Sequence, residues 1–337
     1  MYPILEMPGI STIAPYLKIK FKYFFNDNIN IAVLDGDLMK IGFIGLGRMG
    51  MNMVYNLKDK GVEVIAYNRS PEPMEEVKKK GVKGVNSIKE LVETLPKPRV
   101  MLIMVTAGKP VDLVVEELLK YVQKDDIIVD CGNSFYKDSI RRNNELGKKG
   151  LYYLDCGTSG GLSGARYGAC LTIGGDEKIF KKLEELFRKM AAKDGYAYVG
   201  QSGAGHFVKV THNGIEYALL QAYGEGFEIL KRGPYKLDFE EIAKVWSHGS
   251  IIRSYLTELA TEAFRKDPHL DKIEGIVGGG ETGKWTIDTA KEIGANAEII
   301  KTALELRIKT RTNPTFAGKV VAALRNEFGG HEIVKHK

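Results

Sequence analysis

The segment Lys40-Ile-Gly-Phe-Ile-Gly45-Leu-Gly47-Arg-Met-Gly50 constrains the fold more than any other part of the chain. Lys40–Ile44 reads as a short buried strand, and Met51–Lys60 as a helix that Gly61 stops. Val62–Tyr67 is the next strand. Between strand and helix, Gly45, Gly47 and Gly50 give G-x-G-x-x-G. In that context the glycines allow a tight turn, close approach to a pyrophosphate and close helix–strand packing, while the helix N-terminus attracts phosphate. The unit predicts a dinucleotide site that includes Gly45, Leu46, Gly47, Met49 and Gly50, with Val105, Thr106 and Asn133 on the loops after later strands.

The end of the second strand bears on which dinucleotide binds. An acid there meets the ribose hydroxyls of NAD, whereas arginine meets a 2′-phosphate. This chain has Asn68-Arg69-Ser70 and no acid. Arg69 can stack on adenine and fork onto phosphate; Asn68 and Ser70 can donate hydrogen bonds. The expectation is NADP, with NAD as the alternative. The bland reading makes Arg69 an ordinary surface arginine.

From Lys40 to about Gly200, strand and helix patterns alternate. Val100–Val105, Ile127–Asp130, Leu151–Asp155 and Cys170–Ile173 read as strands. That implies an α/β Rossmann domain with a doubly wound, mostly parallel sheet. After Gly205 the strands stop, and His206–Lys231, Asp238–Leu259, Asp288–Thr310 and Thr315–Glu327 read as helices. The expected division is a dinucleotide-binding domain over 39–204 and an all-α substrate and dimerisation domain over 205–337, ending in a tail. Residues 1–38 carry prolines and the Phe21–Phe25 aromatic cluster without a clear period. They read as an extension ahead of a start at Met39.

Bulk composition narrows the class. With 337 residues, 44% of them hydrophobic, the chain can bury a core large enough for two domains. Cys131, Cys156 and Cys170 show no C-x-x-C spacing, and their odd number argues against a disulfide framework, so they read as packed thiols. No apolar run suits a bilayer and no signal peptide is evident, which points to a cytoplasmic protein without a membrane partner. A net charge of +6, with no basic cluster interleaved with aromatics, suggests small anions rather than nucleic acid.

The segment Lys209-Val-Thr-His212-Asn213-Gly-Ile-Glu216-Tyr217 carries the chemistry. In a helix, Lys209, His212, Asn213 and Glu216 stand at i, i+3, i+4 and i+7, on one face. Burying an amine, an imidazole, an amide and a carboxylate together is unfavourable unless each finds a partner. A solvated polar face is the bland alternative. The flanking Val208, Val210, Ile215, Ala218, Leu219 and Leu220 argue for burial. Gly203, Gly205 and Gly214 would let other backbone approach.

Four further segments suit a phosphorylated sugar acid. Asn133-Ser134 follows a strand, where ligand-facing loops of open sheets lie. Thr158-Ser159-Gly160-Gly161 follows another and could hold a carboxylate. Both are also compatible with ordinary turns. Gly278–Trp285 offers Lys284 in a glycine-rich stretch that lacks the Ser or Thr of a phosphate loop. The tail Arg325-Asn-Glu-Phe328-Gly329-Gly330-His331 sets a guanidinium, an aromatic ring and an imidazole around two glycines; alone it would pass as a frayed terminus.

Together these residues resemble the 6-phosphogluconate dehydrogenase family from about Lys40 to His331. The most specific parts are Lys209–Tyr217, Gly132–Tyr136, Ser159-Gly-Gly followed by Gly164–Gly168, Gly283–Thr286 and the Phe-Gly-Gly-His tail. The length resembles a short form without a duplicated helical half. The resemblance implies oxidative decarboxylation of 6-phosphogluconate to ribulose 5-phosphate with reduction of NADP, in the pentose phosphate or gluconate pathway, and no metal. Lys209 would take the C3 hydroxyl proton as hydride leaves for the nicotinamide, and as ammonium would polarise the new carbonyl. Glu216, about 10 Å along the helix axis, would protonate C1 of the enediol. His212, Asn213 and Ser159 would orient the substrate, and Ser159, Gly160 and Gly161 would hold its carboxylate end. Tyr217, Lys284 and Arg311, favoured over Arg307, would bind the 5-phosphate. Arg325 and His331 would enter from a neighbouring subunit's tail, which implies a homodimer. Thr106 departs from the lysine common in longer members. Related β-hydroxyacid dehydrogenases usually follow the lysine with Asn-Asn and lack Glu-Tyr. A small unphosphorylated 3-hydroxy acid, oxidised without loss of carbon, is the runner-up substrate. A cofactor-sensing binding protein would not need both Lys209 and Glu216.

Overall fold

The computed structural model describes residues 39–335; the expected extension 1–38 lies outside the described residues. The chain opens with β1 (Lys40–Ile44), α1 (Arg48–Asp59), β2 (Glu63–Tyr67), α2 (Pro71–Lys79), β3 (Lys83–Gly84) and α3 (Ile88–Thr94). It continues with β4 (Val100–Ile103), α4 (Lys109–Leu118), β5 (Ile127–Asp130), α5 (Tyr136–Gly147), β6 (Tyr152–Ser159) and α6 (Gly161–Tyr167). Then come β7 (Ala169–Gly174), α7 (Glu177–Met190) and β8 (Ala191–Gly200). The eight strands form one sheet in the order β3-β2-β1-β4-β5-β6-β7-β8. Pairings are parallel except β6 with β7, so the sheet is mostly parallel and doubly wound.

Alternation along the strands fills both faces. Ile41 and Phe43 of β1 pack on one side with Met53, Leu57 and Phe187, while Ile44 packs on the other with Leu91, Met101 and Val111. A strand covered by helices on both faces buries every side chain, which is why these segments read as unbroken apolar runs. The chain reverses its winding between β1 and β4, and ligands of open α/β sheets bind at such a switch point beyond the carboxyl ends of the strands.

Only helices follow β8: α8 (Ala204–Arg232), α9 (Phe239–Trp246), α10 (Tyr255–Lys266), α11 (Glu281–Glu292), α12 (Glu298–Lys309) and α13 (Phe316–Gly329). Leu220 and Phe227 of α8 share a core with Phe239, Phe264, Val320 and Leu324. Two helices expected from the pattern are each broken. Asp238–Leu259 is interrupted after Trp246, where Gly249 takes a left-handed φ of 73°, and a Ser254–Thr257 capping box restarts the chain as α10. The expected Asp288–Thr310 helix begins earlier, at Glu281, and breaks at Gly294 with φ of 72° before α12. The polar strands β3 and β8 had no apolar signal. Ser159, expected in a turn, is the last residue of β6.

At Gly224 a Cβ would stand 2.7 Å from the Ala317 carbonyl oxygen, where α8 crosses α13. Gly224→Ala therefore pushes two backbones apart. A loss of about 1–3 kcal/mol in unfolding free energy, typical of overpacking, is expected in a urea titration; a neutral result would mean that the crossing yields freely.

Candidate active site

The glycine turn fits a pyrophosphate. Gly45 has φ of 105°, and a Cβ on it would meet the Met104 carbonyl oxygen at 2.4 Å; one on Gly50 would meet the Gly45 carbonyl oxygen at 2.1 Å. Gly47 has nothing within 4 Å of a Cβ position, which leaves room in front of α1. The first turn of α1 carries no acid and no side-chain cap, so its N–H groups are open to an anion. Leu46 is buried and donates its N–H to Asn68 Oδ1 at 2.9 Å, and Asn68 Nδ2 donates to the Ser70 carbonyl. Asn68 is thus a strut between β1 and β2. Arg69 and Ser70 are exposed beside it, Met49 packs against the core, and Val105, just after β4, faces the glycine turn, followed by an exposed Thr106.

The expected polar face lies on α8; Lys209 and Asn213 turn inward, whereas Glu216 is half-buried and His212 exposed. Lys209 is 9% exposed and Asn213 6%. Asn213 Nδ2 donates to Asn133 Oδ1 at 3.0 Å, joining the helix to the loop after β5. His212 Nε2 lies 3.1 Å from Ser159 Oγ, and its Nδ1 is 3.4 Å from Lys209 Nζ and 3.3 Å from Asn213 Oδ1. Burial pushes the Lys209 amine below its ordinary value, against the opposing charge of Glu216. Burial pushes Glu216 up, opposed by Lys209, Arg307 and Arg325. His212 is lowered by burial and then by Lys209. Desolvation thus drives the two ends of the face toward neutrality. The flanking apolar residues divide: Val210 and Leu220 are buried, whereas Val208, Ile215 and Leu219 are 37%, 52% and 45% exposed.

A cluster of cations closes the far end. The buried Arg307 guanidinium lies 3.8 Å from the Tyr217 ring centroid, and Tyr217 OH is 3.3 Å from Thr282 Oγ1. Burial, and then Arg307, lower Arg325 to about 10. Burial, followed by Arg325, Arg48 and Arg307, lowers His331 to about 4. Arg311 donates to the Gly279 carbonyl at 2.7 Å and is exposed; Lys284, also exposed, is paired with Asp288. Sequence spacing, which favours Arg311 beyond the end of α12, does not reveal that Arg307 on α12 is the arginine that faces Tyr217 of α8.

Within its own chain, Arg325 stands within electrostatic reach of Glu216 and Arg307, and His331 within reach of Arg325, Arg48 and Arg307. α13 packs along α8 and carries the tail back to the substrate loop. A Cβ on Gly161 would meet the Phe328 carbonyl oxygen at 2.2 Å, and Arg48 donates to the Gly330 carbonyl. Gly160 and Gly161, with φ of 114° and 63°, turn the chain from β6 into α6. Cys131 and Cys156 are packed thiols as expected, but Cys170 is exposed and close enough to Lys209 to influence it. Among the described residues no group of three or more His, Cys, Asp or Glu is placed to hold a metal ion, and no helix is long and apolar enough to cross a membrane.

A Rossmann sheet with an open glycine turn, joined to a helical layer that carries a buried lysine, defines a nicotinamide-dinucleotide-dependent oxidoreductase. Residues 40–203 match the model of the NAD binding domain of 6-phosphogluconate dehydrogenase, and 205–321 that of the 6-phosphogluconate dehydrogenase C-terminal domain. The chain belongs to the 6-phosphogluconate dehydrogenase family. It is 46% identical over 297 residues to the Bacillus subtilis protein YqeC, whose own assignment as a 6-phosphogluconate dehydrogenase is provisional; the match covers 88% of this chain and 100% of that one. It is 41% identical to the NAD(+)-dependent decarboxylating 6-phosphogluconate dehydrogenase of Haloferax volcanii, covering 88% of this chain and 99% of that one. The 6-phosphogluconate dehydrogenase structure from Plasmodium falciparum, solved in its apo form and with NADP+ and with 6-phosphogluconate, superposes with a TM-score of 0.74 at 32% identity, over 86% of this chain and 70% of that one. The 3-hydroxyisobutyrate dehydrogenase of Mycobacterium tuberculosis, at 21% identity and a TM-score of 0.67 over 84% of this chain and 98% of that one, shares the fold.

Because Glu216 is the leading charge that favours the Lys209 ammonium, Glu216→Gln should lower the Lys209 pKa further. The pH dependence of amine-selective labelling at Lys209, read by peptide mass spectrometry, measures it. An unchanged or raised value would show that the two groups do not sense each other.

Proposed function

We propose that the chain oxidises and decarboxylates 6-phosphogluconate to ribulose 5-phosphate and carbon dioxide, with NADP as preferred cofactor and NAD as the alternative. The observation that carries this reading is the pair of a buried Lys209 and a half-buried Glu216 on one helix face, shifted in opposite directions toward their neutral forms. A neutral amine can accept a proton and a neutral carboxyl can donate one, so the helix holds a base and an acid at a fixed separation.

The bound oxidised nicotinamide supplies a hydride acceptor. Lys209 takes the proton of the C3 hydroxyl, with Asn133, Asn213 and His212 orienting the sugar acid. The resulting ammonium then polarises the C3 carbonyl, which draws in the electrons freed as the C1 carboxylate leaves as carbon dioxide. Glu216 gives its proton to C1 of the enediol. Ser159, Gly160 and Gly161 hold the carboxylate end until it departs. The 5-phosphate is met by Tyr217, Lys284, Arg311 and Arg325, with His331 from the tail. Arg307, stacked on Tyr217, joins this set.

The arginine cluster favours a phosphorylated substrate over a small 3-hydroxy acid. Burial and then Arg307 depress Arg325, while burial and then Arg311 depress Arg307, and a dianion among these arginines would relieve the repulsion. Arg69, exposed beside Ser70 at the end of β2, supports a 2′-phosphate site. The exposed row Val208, Ile215 and Leu219, at i, i+7 and i+11 on α8, supports a homodimer. The absence of acids from the first turn of α1 agrees with an anionic cofactor. We place the reaction in the cytoplasm, within a pentose phosphate or gluconate pathway.

Reduced-nicotinamide absorbance with 6-phosphogluconate, followed with NADP and NAD in parallel while carbon dioxide is trapped, tests the reading. Stoichiometric carbon dioxide is expected. Activity only on a small 3-hydroxy acid, without carbon dioxide, would replace it. Lys209→Met should abolish reduction while cofactor binding persists. Arg69→Ala should weaken NADP more than NAD, through charge-assisted bonds worth about 1.5–3 kcal/mol each; equal weakening would remove Arg69 from the 2′-phosphate site.

A further inference from the structure

The first turn of α8 is held by side chains that play no part in the proposed chemistry. Asp155 is fully buried near the middle of β6. Its Oδ1 accepts the Gly203 N–H at 2.7 Å and its Oδ2 the His206 N–H at 2.9 Å. Both donors belong to the otherwise uncapped start of α8, where Gly203 is the N-cap and offers no side chain. From the neighbouring strand β7, Thr172 Oγ1 donates to the Gly205 carbonyl at 2.9 Å. In a regular helix that carbonyl is the one that the Lys209 N–H addresses, four residues on.

The helix start is wedged between these two strands. A Cβ on Gly205 would stand 2.4 Å from the Asp155 carbonyl oxygen and 2.5 Å from that of Thr172. The wedge lies at β6 and β7, the one antiparallel pairing of the sheet. One turn further along the helix, the Lys209 Cβ stands directly over Gly157. A Cβ on Gly157 would meet it at 2.5 Å and Thr172 Oγ1 at 2.6 Å. The base is therefore seated on the same short stretch of β6 and β7 that grips the helix end.

We propose that Asp155 and Thr172 are positioning residues: together they clamp the first turn of α8 and set the depth and register at which Lys209 meets the substrate. The inference rests on Lys209 being the proton acceptor of the reaction proposed above. In Asp155→Asn the carboxamide keeps one acceptor and turns an N–H₂ toward the other helix N–H, so one of two bonds is replaced by opposed donors. Thr172→Val keeps the side-chain shape and removes the bond to the Gly205 carbonyl.

The experiment measures kcat, the dinucleotide dissociation constant, the unfolding midpoint and the isotope effect with 6-phosphogluconate deuterated at C3. Wild type, Asp155→Asn, Thr172→Val and Asp126→Asn are compared. Asp126 is a buried aspartate at the opposite end of β5 that accepts the Arg99 and Gln123 N–H groups and pairs with Arg99, so it reports what loss of a buried carboxylate does to stability alone. The clamp variants should lose kcat on the order of 10²-fold, the effect of ångström-scale misplacement. Their dinucleotide affinity should hold and their isotope effect should rise as hydride transfer becomes limiting. Asp126→Asn should lower the unfolding midpoint yet keep kcat and the isotope effect. Clamp variants that fold with wild-type kcat and isotope effect overturn the inference; so does a kcat loss in Asp126→Asn equal to theirs, since general destabilisation would then suffice. If Asp155→Asn does not fold, Thr172→Val decides alone. A wild type that releases no carbon dioxide from 6-phosphogluconate overturns the underlying reading instead, and is recognised before any variant is assayed.

Discussion

A single helix must serve two layers at once, and most of the architecture follows from that constraint. The first two turns of α8 lie against β6 and β7, and its later turns share a core with α9, α10 and α13. Between these stretches, Lys209, Asn213 and Tyr217 face inward in the company of Val210 and Leu220. The polar groups that this position turns away from water each need a partner or a shifted proton affinity. Asn213 finds Asn133. Lys209 and Glu216 instead take the shift, and proton transfer at neutral pH requires just such a shift.

The sheet supplies what the helix lacks. Its winding reverses between β1 and β4, so the glycine turn and the loop after β4 open on the same edge. The parallel pairing of β5 with β6 brings Asp130 opposite Asp155. Asp130 accepts the Gly132 N–H and the hydroxyls of Ser134 and Tyr153, which fixes the loop that presents Asn133. Asp155 grips α8. Two neighbouring buried carboxylates thus hold the two backbones that meet at the Asn133–Asn213 hydrogen bond. Helix and loop would otherwise be free to drift by the fraction of an ångström that separates a productive arrangement from an idle one.

Much of this was legible in the sequence because it is local. A glycine triplet between a strand and a helix, and four polar residues at i, i+3, i+4 and i+7, are patterns within a dozen residues. The failures are non-local or depend on a single backbone angle. Gly249 and Gly294 looked like tolerable glycines within helical periods, but a left-handed φ ends a helix outright. Strand β8 contains Lys193-Asp194-Gly195 and lies at the sheet edge with register shifts against β7, so no alternation marked it. That the Asn68 amide braces the glycine turn was likewise out of reach, since its partner Leu46 lies 22 residues away. The inward turn of Arg307 depends on the rotation of α12, which neighbouring helices set.

The cation cluster has a consequence for how binding energy is used. Arg307 is buried and Arg325 half-buried, and both are pushed below their ordinary range, first by burial, with Arg311 beside the one and Arg307 beside the other adding to it. His331 is suppressed so far, to about 4, that it remains neutral and acts as a hydrogen-bonding group rather than a third charge. Without an anion, this end of the site is electrostatically strained. A phosphate lying there converts repulsion between arginines into attraction, at a point remote from the carbon atoms that react. Binding energy won at such a distance does not favour the ground state of the reacting carbons; it can hold C3 against Lys209 and C1 against Glu216. A small unphosphorylated acid would leave the strain in place and gain none of that positioning. On the proposed reading, the residues that select the substrate also contribute to its turnover.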